Sequence, residues 1–397
     1  MKINNFQKLY QFEGYTINEA NFGEGVVQIN FEFDGRSKTR CPHCQTKIPK
    51  NKTATIMILD LPLSDCSTVY LKFPTAQGRC SNCSRHVTTR PKEVHPSSKA
   101  TWRLMRSISS WARRSPATHV ARMHEISDNT VRAYDKAVLN ADLPPVCYDG
   151  LRALLIDEKA VRRGHNYVTV VLDADSGELL YMAEGKKKEV IDAFFEKLTQ
   201  EQREKIQAVG IDRAGAYQAS VLQYLPNADI VYDRFHLMMN MNRALDEVRR
   251  QEWREASKED KSVIKGSRFL TIANPQNLNK KGVDKLKTLL KMNENLCVAY
   301  QLKEQFKAIF DLSDKAEAIQ SLEIWAEMAK ESGLASFKRL AKSLLRQKER
   351  VVGFITHRLT SGKIEGFNNQ IARTVHMACG IKDLDYLELK LRLQSVM

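Results

Sequence analysis

The runs ALLI (153–156) and AVGI (208–211) are apolar, and each leads straight into an aspartate, Asp157 and Asp212. Read as strands, they put both acids at strand ends. Far downstream, the string SGKIEGFNNQ places a third acid, Glu365, near the start of an expected helix. Mg²⁺ takes hard oxygen ligands and keeps several waters, so a shared Asp with two flanking carboxylates can hold a metal pair about 4 Å apart. Three acids so placed in a strongly basic chain suit a two-metal site, holding Mg²⁺ or Mn²⁺, that cuts or joins a phosphodiester backbone.

The surrounding pattern predicts how those acids could meet. RALLIDE, YVTVVLDAD and ELLYMAEG alternate like strands and are joined by short turns, which predicts an antiparallel meander. A helix with Val190, Phe194, Phe195 and Leu198 on one face follows. Then come the strand IQAVGID, the helix YQASVLQYL and the strand ADIVYD, an alternation that predicts a parallel continuation of the sheet. The order β-β-β-α-β-α-β is the ribonuclease H-like arrangement, in which the first and fourth strands are neighbours, so Asp157 and Asp212 would come together. From about Leu237 to Val352 the sequence reads as nearly all helix, an insertion that accounts for the 153 residues between Asp212 and Glu365. The last helix carries Ile364, Phe367, Ile371 and Val375 at helical spacing.

Other acids compete for the third place. Glu365 also reads as an ordinary first-turn acid favoured by the helix dipole. Asp233 ends the strand VYD on the same rim and, with His236, reads as a supporting group. Glu158 points to the opposite face of its strand from Asp157 and is not expected to be a ligand. Arg162, Arg163 and His165, on the turn after the first strand, read as DNA-backbone contacts or solvent-facing groups.

The chain has 397 residues and a formal net charge of +15, enough for two or three domains at roughly 150 residues each. The excess is uneven: between Arg79 and Arg122 there are ten Lys or Arg and one acid, Glu93. A field of that sign attracts a polyanion. No 18-residue apolar run, signal peptide or lipidation motif is present, so a membrane role is not expected, and the expected location is cytoplasmic, on the nucleoid.

Four of eight cysteines form two knuckles, CPHC (Cys41, Cys44) and CSNC (Cys80, Cys83). Four soft thiolates suit one structural Zn²⁺. The 35 residues between the knuckles exceed the usual ribbon spacing, and TATIMILDLP with STVYLKF predicts a β-hairpin inside the loop. His43 and His86 are expected at surface or DNA-backbone positions. Cys66, Cys147, Cys297 and Cys379 are expected to be small buried hydrophobes.

Next, Trp102, Met105, Ile108 and Ala112 form an apolar helical stripe. Ser115 is predicted as an N-cap with Pro116 at the first helical position, and Ser127 as the cap of a further helix. Ala121, Ile126 and Val131 are placed to pack together, which predicts a helix-turn-helix, with a plain helical hairpin as the alternative. Glu125 occupies the turn position where Gly is commonest. The second helix would present Asp128, Asn129, Thr130, Arg132 and Lys136 to a major groove, with Arg103, Arg106, Arg113 and Arg114 against the DNA backbone. NADLPPVCYDG reads as a linker.

The run from IDEKAVRRGHNYVTVV through GIDRAGAY and VYDRFH to SGKIEGFNNQIARTVHMACGIKD resembles the DDE transposases of bacterial insertion sequences, and the ISL3 family more closely. The resemblance covers essentially the whole chain, with DRFH and GKIEGFNN its most specific strings. It implies Asp157, Asp212 and Glu365 as the catalytic acids and Cys41, Cys44, Cys80 and Cys83 as the zinc site. It also implies a zinc-binding domain (1–95), a helix-turn-helix region (96–145), a ribonuclease H-like core in two parts (150–240 and 351–397) and a helical insertion (241–350). The expected reaction frees a 3′-hydroxyl at the element's end by two-metal hydrolysis and joins it to target DNA. Terminal inverted repeats and target DNA are the expected partners, with no small-molecule substrate and at least a dimer on DNA. The alternatives are a zinc and helix-turn-helix regulator, an inactive relative, or an enzyme that cuts branched DNA.

Overall fold

Alternation in the first hundred residues builds strands with one buried face. The computed structural model describes residues 8–34, 40, 41, 43–48, 52–63, 66–162, 166–212 and 215–396. β1 (Tyr15–Gly23) and β2 (Val26–Phe33) form a hairpin whose turn holds Gly25 at φ +70°, a conformation that a side chain would strain. β3 (Lys52–Asp60) and β4 (Thr68–Arg79) pair antiparallel from Lys52↔Gln77 to Asp60↔Val69, the hairpin expected between the knuckles. β4 also runs parallel to β2, and β5 (His86–Thr88) extends its far end, giving the order β1-β2-β4-β3. Val69, Leu71 and Phe73 of β4 are fully buried, and Phe73 stacks on Phe31 at 4.4 Å between ring centroids. Each such side chain withdrawn from water contributes about 1.5–3 kcal/mol.

Three helices follow: α1 (Trp102–Ala112), α2 (Ala117–Met123) and α3 (Asp128–Asp142). Met105, Ile108 and Ala112 are buried as expected, and Leu104 joins them. Ser127 caps α3 through its hydroxyl, which accepts from Thr130 N at 3.0 Å. The start of α2 differs from expectation: Pro116, not Ser115, is the N-cap, and no side chain caps it. Ala121, Ile126 and Val131 share one apolar cluster. Glu125 adopts φ 53° in the turn, the left-handed conformation that glycine usually supplies.

The second half of the chain builds another sheet. β6 (Ala153–Arg162), β7 (Asn166–Asp173) and β8 (Leu179–Glu184) form the antiparallel meander. α4 (Lys188–Phe195) and α5 (Gln200–Lys205) lead to β9 (Ala208–Ile211), and α6 (Gly215–Tyr224) leads to β10 (Asp229–Tyr232). β9 pairs in parallel with both β6 and β10, so the order is β10-β9-β6-β7-β8. β6 is longer than the sequence pattern suggested: Asp157 continues to pair with Val170 of β7 and so lies inside its strand. It is nevertheless the first residue beyond the pairing with β9. Gly210 allows that pairing to close, since a Cβ there would lie 2.7 Å from Leu155 Cδ2. Arg163 and His165 lie outside the described residues.

The long segment after β10 is helical, with no strand among its described residues. It comprises α7 (Arg234–Glu255), α8 (Lys258–Ile264), α9 (Arg268–Ile272), α10 (Lys280–Met292), α11 (Glu294–Ile309), α12 (Lys315–Glu331), α13 (Ala335–Leu345) and α14 (Lys348–His357). Lys303 is buried here and donates to the Thr271 carbonyl at 2.8 Å. Gly353 lets α14 approach β10, where a Cβ would stand 3.2 Å from Val231 Cγ2. The chain ends in α15 (Gly362–Met377) and α16 (Leu384–Val396).

Two compact units result: Met1–Pro144 with Thr374–Leu393, and Pro145–Arg373 with Gln394–Met397. The first boundary falls between the two linker prolines. The return of Thr374–Leu393 to the first unit differs from the sequence expectation, which kept 351–397 with the second sheet. Its cause is a buried polar centre. Asp135 on α3 is fully buried and accepts from Ser109 at 2.7 Å, Tyr386 at 2.6 Å and Lys390 at 2.8 Å.

Candidate active site and metal centre

The parallel strands run in step, with Ile156 beside Ile211 and Ile211 beside Tyr232. The next residue in each is an aspartate, so Asp157, Asp212 and Asp233 stand in a row along one edge of the sheet. α15 comes to the same edge because Ile364, Phe367 and Ile371 are buried at helical spacing. Lys363 secures its start by donating to the Ala174 carbonyl at 2.8 Å in the β7–β8 turn. A cavity of about 290 Å³ forms there, lined by Asp157, Asp212, Asp233, His236, Glu365 and Asn368 among others. Glu158 is not among the lining residues.

The acids differ in their surroundings. Burial raises the Asp157 pKa above the ordinary value, partly opposed by hydrogen bonds from its neighbours, while Asp212 adds to the rise. Its Oδ1 accepts from Glu158 N at 2.8 Å and its Oδ2 from Asn368 Nδ2 at 2.7 Å. The Oδ1 of Asn368 is buried without a partner. Glu365 is exposed, in the first turn of α15. Asp233 is occupied differently, because it caps α7: it accepts from Phe235 N at 3.1 Å and from His236 Nδ1 at 2.7 Å. Burial would raise Asp233, but those bonds prevail and its pKa is lowered. The Asp233 hydrogen bond in turn raises His236, opposed by burial and helped by Asp157 and Asp212.

Oxygen donors line one cavity, and burial opposes the charge on Asp157, a cost that a hard divalent cation would offset, but the carboxylates of Asp157, Asp212 and Glu365 do not all lie within 4.8 Å of one another. The sequence reading missed the Asn368 contact. The signal was available, since positions 365 and 368 share a helix face. Lys363 was missed as well, because a lysine reaching backbone carbonyls of a distant turn leaves no periodic trace.

In the first unit the four knuckle cysteines converge. Among the described residues they are the one group of three or more His, Cys, Asp or Glu whose ligand atoms all lie within 4.8 Å. The Sγ atoms of Cys41 and Cys83 are 3.7 Å apart, and those of Cys44 and Cys80 are 3.4 Å apart. A regular tetrahedron with Zn–S bonds of about 2.3 Å has edges of about 3.8 Å, so the donors fit one structural Zn²⁺. A disulfide would need about 2.05 Å, and all the cysteines are free thiols. His43 and His86 are exposed beside the cluster. The remaining cysteines correct the expectation of burial: Cys147 and Cys379 are exposed, Cys66 and Cys297 only half-buried.

Several basic residues expected to face DNA are already engaged. Arg103 makes a two-pronged pair with buried Asp60, and its guanidinium lies 4.7 Å from the Tyr10 ring centroid. Arg106 pairs with Asp142 at 2.8 Å, Arg132 with Asp128 at 2.8 Å, and Lys136 with Asp383 at 2.6 Å. Arg113, Arg114 and Asn129 are exposed, and Thr130 is half-buried beside Ser127.

A family model described as Transposase, that of the ISL3 DDE group, matches residues 154–391. The chain is 30% identical over 356 residues to the transposase for insertion sequence element IS1001 of Bordetella parapertussis, spanning 89% of this chain and 87% of that protein. It is 29% identical over 258 residues to the transposase for insertion sequence element IS1557 of Mycobacterium tuberculosis, spanning 59% of this chain and 58% of that one. The chain belongs to the ISL3 family of insertion-sequence transposases. No helix among the described residues is long and apolar enough to cross a membrane.

Proposed function

We propose that the protein cleaves the DNA ends of its element and joins the freed 3′-hydroxyls to target DNA, with Asp157, Asp212 and Glu365 holding two Mg²⁺ or Mn²⁺. One observation carries this: three carboxylates 55 and 153 residues apart in sequence line a single cavity at a strand edge. Bound there, the metals would supply Lewis-acid polarisation of the scissile phosphate and a lowered pKa for the attacking water. Asn368 and the Glu158 amide each occupy one lone pair of Asp157, which fixes its orientation and leaves further lone pairs free. Glu365 lies where the helix dipole favours its charge. Asp233, with both oxygens engaged, acts as a brace for α7 and His236.

The strand order β10-β9-β6-β7-β8 supports a ribonuclease H-like core in residues 150–240 and 351–373, interrupted by the helices of 241–350. α2 and α3 with their left-handed turn support a helix-turn-helix in 96–145, behind a zinc-binding domain in 1–95. On this reading Asn129, Thr130, Arg132 and Lys136 face the major groove, Arg113 and Arg114 hold the DNA backbone, and the guanidiniums of Arg103 and Arg106 are shared between their carboxylate partners and phosphates. Joining two element ends calls for at least a dimer on DNA.

The test uses duplexes carrying the inverted repeats that flank the gene. Wild-type protein with Mg²⁺ should nick one strand at the element end and join it to a target plasmid. Asp157→Asn, Asp212→Asn and Glu365→Gln should each abolish both steps while DNA binding survives. Asp233→Asn should reduce activity less than Asp157→Asn does. Full activity in Glu365→Gln with a dead Asp233→Asn would transfer the third place to Asp233.

A further inference from the structure

A second cavity, of about 790 Å³, shares Phe235 with the acid-lined one. That size falls in the range of roughly 300–1,000 Å³ typical of sites for small organic groups. One wall is a face of α7, where Phe235, Met239, Asn242 and Asp246 recur at helical spacing; Arg268 and Ile272 of α9 line it as well. Three features of this groove suit a ligand. Phe235 is 57% exposed although it stands at the mouth of the acid cavity, and its near ring neighbour is the His236 edge. Asn242 Oδ1 is buried without a partner, which is costly for a polar atom. Asp246, 7% exposed, accepts from Arg249 at 2.8 Å and Arg250 at 3.0 Å and lies 3.9 Å from Arg268. The buried carboxylate thus anchors three guanidiniums, and the side chains of Arg250 and Arg268 remain 60% and 59% exposed.

We infer that this groove holds one unstacked nucleotide of the DNA strand that enters the acid cavity, with its base on the Phe235 ring and its flanking phosphates on Arg250 and Arg268. Aromatic faces accept any base, guanidiniums pair with phosphate, and an amide such as Asn242 can meet a base edge. The inference rests on the DNA-cutting reading of the acid cavity. It adds a demand that reading does not make: the duplex must open beside the scissile phosphate.

Binding of full-length protein is measured, in Ca²⁺ to prevent cleavage, to a blunt duplex and to the same duplex ending in a four-thymidine fork that carries 2-aminopurine. Wild type should prefer the fork and quench its fluorescence. Phe235→Ala should weaken fork binding roughly five- to 150-fold, abolish the quench and leave the blunt duplex unchanged. Phe235→Trp should restore both. Arg250→Gln and Arg268→Gln should each lower the salt slope on the fork by about 1. Equal fork and blunt affinities in wild type, or an unchanged quench in Phe235→Ala, would overturn the inference. So would a Phe235→Ala protein that binds the fork normally but changes from dimer to monomer, since the groove would then be a protein interface. A persisting fork preference in a protein that never cleaves DNA would instead count against the acid cavity and leave the groove standing.

Discussion

Lys390→Met tests the polar centre that fastens the C-terminal helix to the first unit. In the folded chain the Lys390 ammonium donates to Asp135 Oδ2 at 2.8 Å and to the Ala112 carbonyl at 3.0 Å, and Lys390 is 6% exposed. Methionine keeps the apolar stem and removes the charge. Asp135 would then be buried with two hydroxyl donors only, from Ser109 and from Tyr386. The Tyr386 hydroxyl stays protonated, because burial and Asp135 push its pKa far up. Stranding one charge of a buried pair costs about 3–5 kcal/mol, and the orphaned Ala112 carbonyl adds about 1 kcal/mol. A loss of about 4–6 kcal/mol is a large part of the stability of a unit this size. The double variant Asp135→Asn/Lys390→Met leaves no buried charge; the amide oxygen accepts from one hydroxyl and the amide NH₂ donates to the oxygen of the other, so it should recover more than half of the loss. Hydrogen exchange of α1 and α3 amides, followed with denaturant unfolding, reads the first unit separately from the second. A Lys390→Met loss under about 1 kcal/mol, or additive single and double variants, would refute the reasoning.

Other perturbations address separate features. Purified protein should hold about one Zn²⁺ per chain, and chelation should unfold the first unit while the second sheet persists; Cys41→Ser or Cys80→Ser should lose the metal, and a metal-free protein with an unchanged first transition would contradict the zinc assignment. Glu125→Gly should stabilise the first unit by about 0.5–1 kcal/mol, because the left-handed cost of a non-glycine residue exceeds the entropy that glycine adds to the unfolded chain; denaturant midpoints check it. His236 has a folded pKa above the ordinary 6.5, so its ion pair with Asp233 contributes fully below that value and is lost as pH rises through the folded pKa. An NMR titration should show the raised value in wild type and its return toward 6.5 in Asp233→Asn.

The elements most legible in the sequence are those whose pattern is local. The meander, the two parallel strands, the late helix and the hairpin between the knuckles all follow from apolar periodicity. Asp157 and Asp212 could be chosen because each directly follows an apolar run, whereas position alone left Glu365 open as an ordinary first-turn acid and the resemblance of GKIEGFNN to the ISL3 family singled it out. The missed features depend on partners far away in sequence. Nothing near Asp60 announces Arg103, and nothing near Asp135 announces Lys390, 255 residues on. The β6 extension past Asp157 was hidden because Lys159 and Arg162 lack the apolar alternation of a buried strand, while β7 still provides them with backbone partners. The exposed Cys147 and Cys379 show the weakness of composition as a guide to burial: small thiols are common inside, but no periodic stripe placed these two there.

The path of the chain through its two units sets an order of events during synthesis. Residues 145–373 make up all of the second unit but its last four residues, Gln394–Met397, and the strap that closes the first unit, Thr374–Leu393, follows them. On the ribosome, Asp135 therefore waits for more than two hundred residues before Tyr386 and Lys390 emerge to neutralise it. The cysteine knuckles and β-strands can assemble early, since domains fold as they appear, but the α1–α3 cluster carries an uncompensated buried acid until translation is nearly over. Fragments that stop short of residue 384 should accordingly be soft in the first unit and easily degraded. A gene copy truncated at its 3′ end would then yield little protein able to compete with the intact chain.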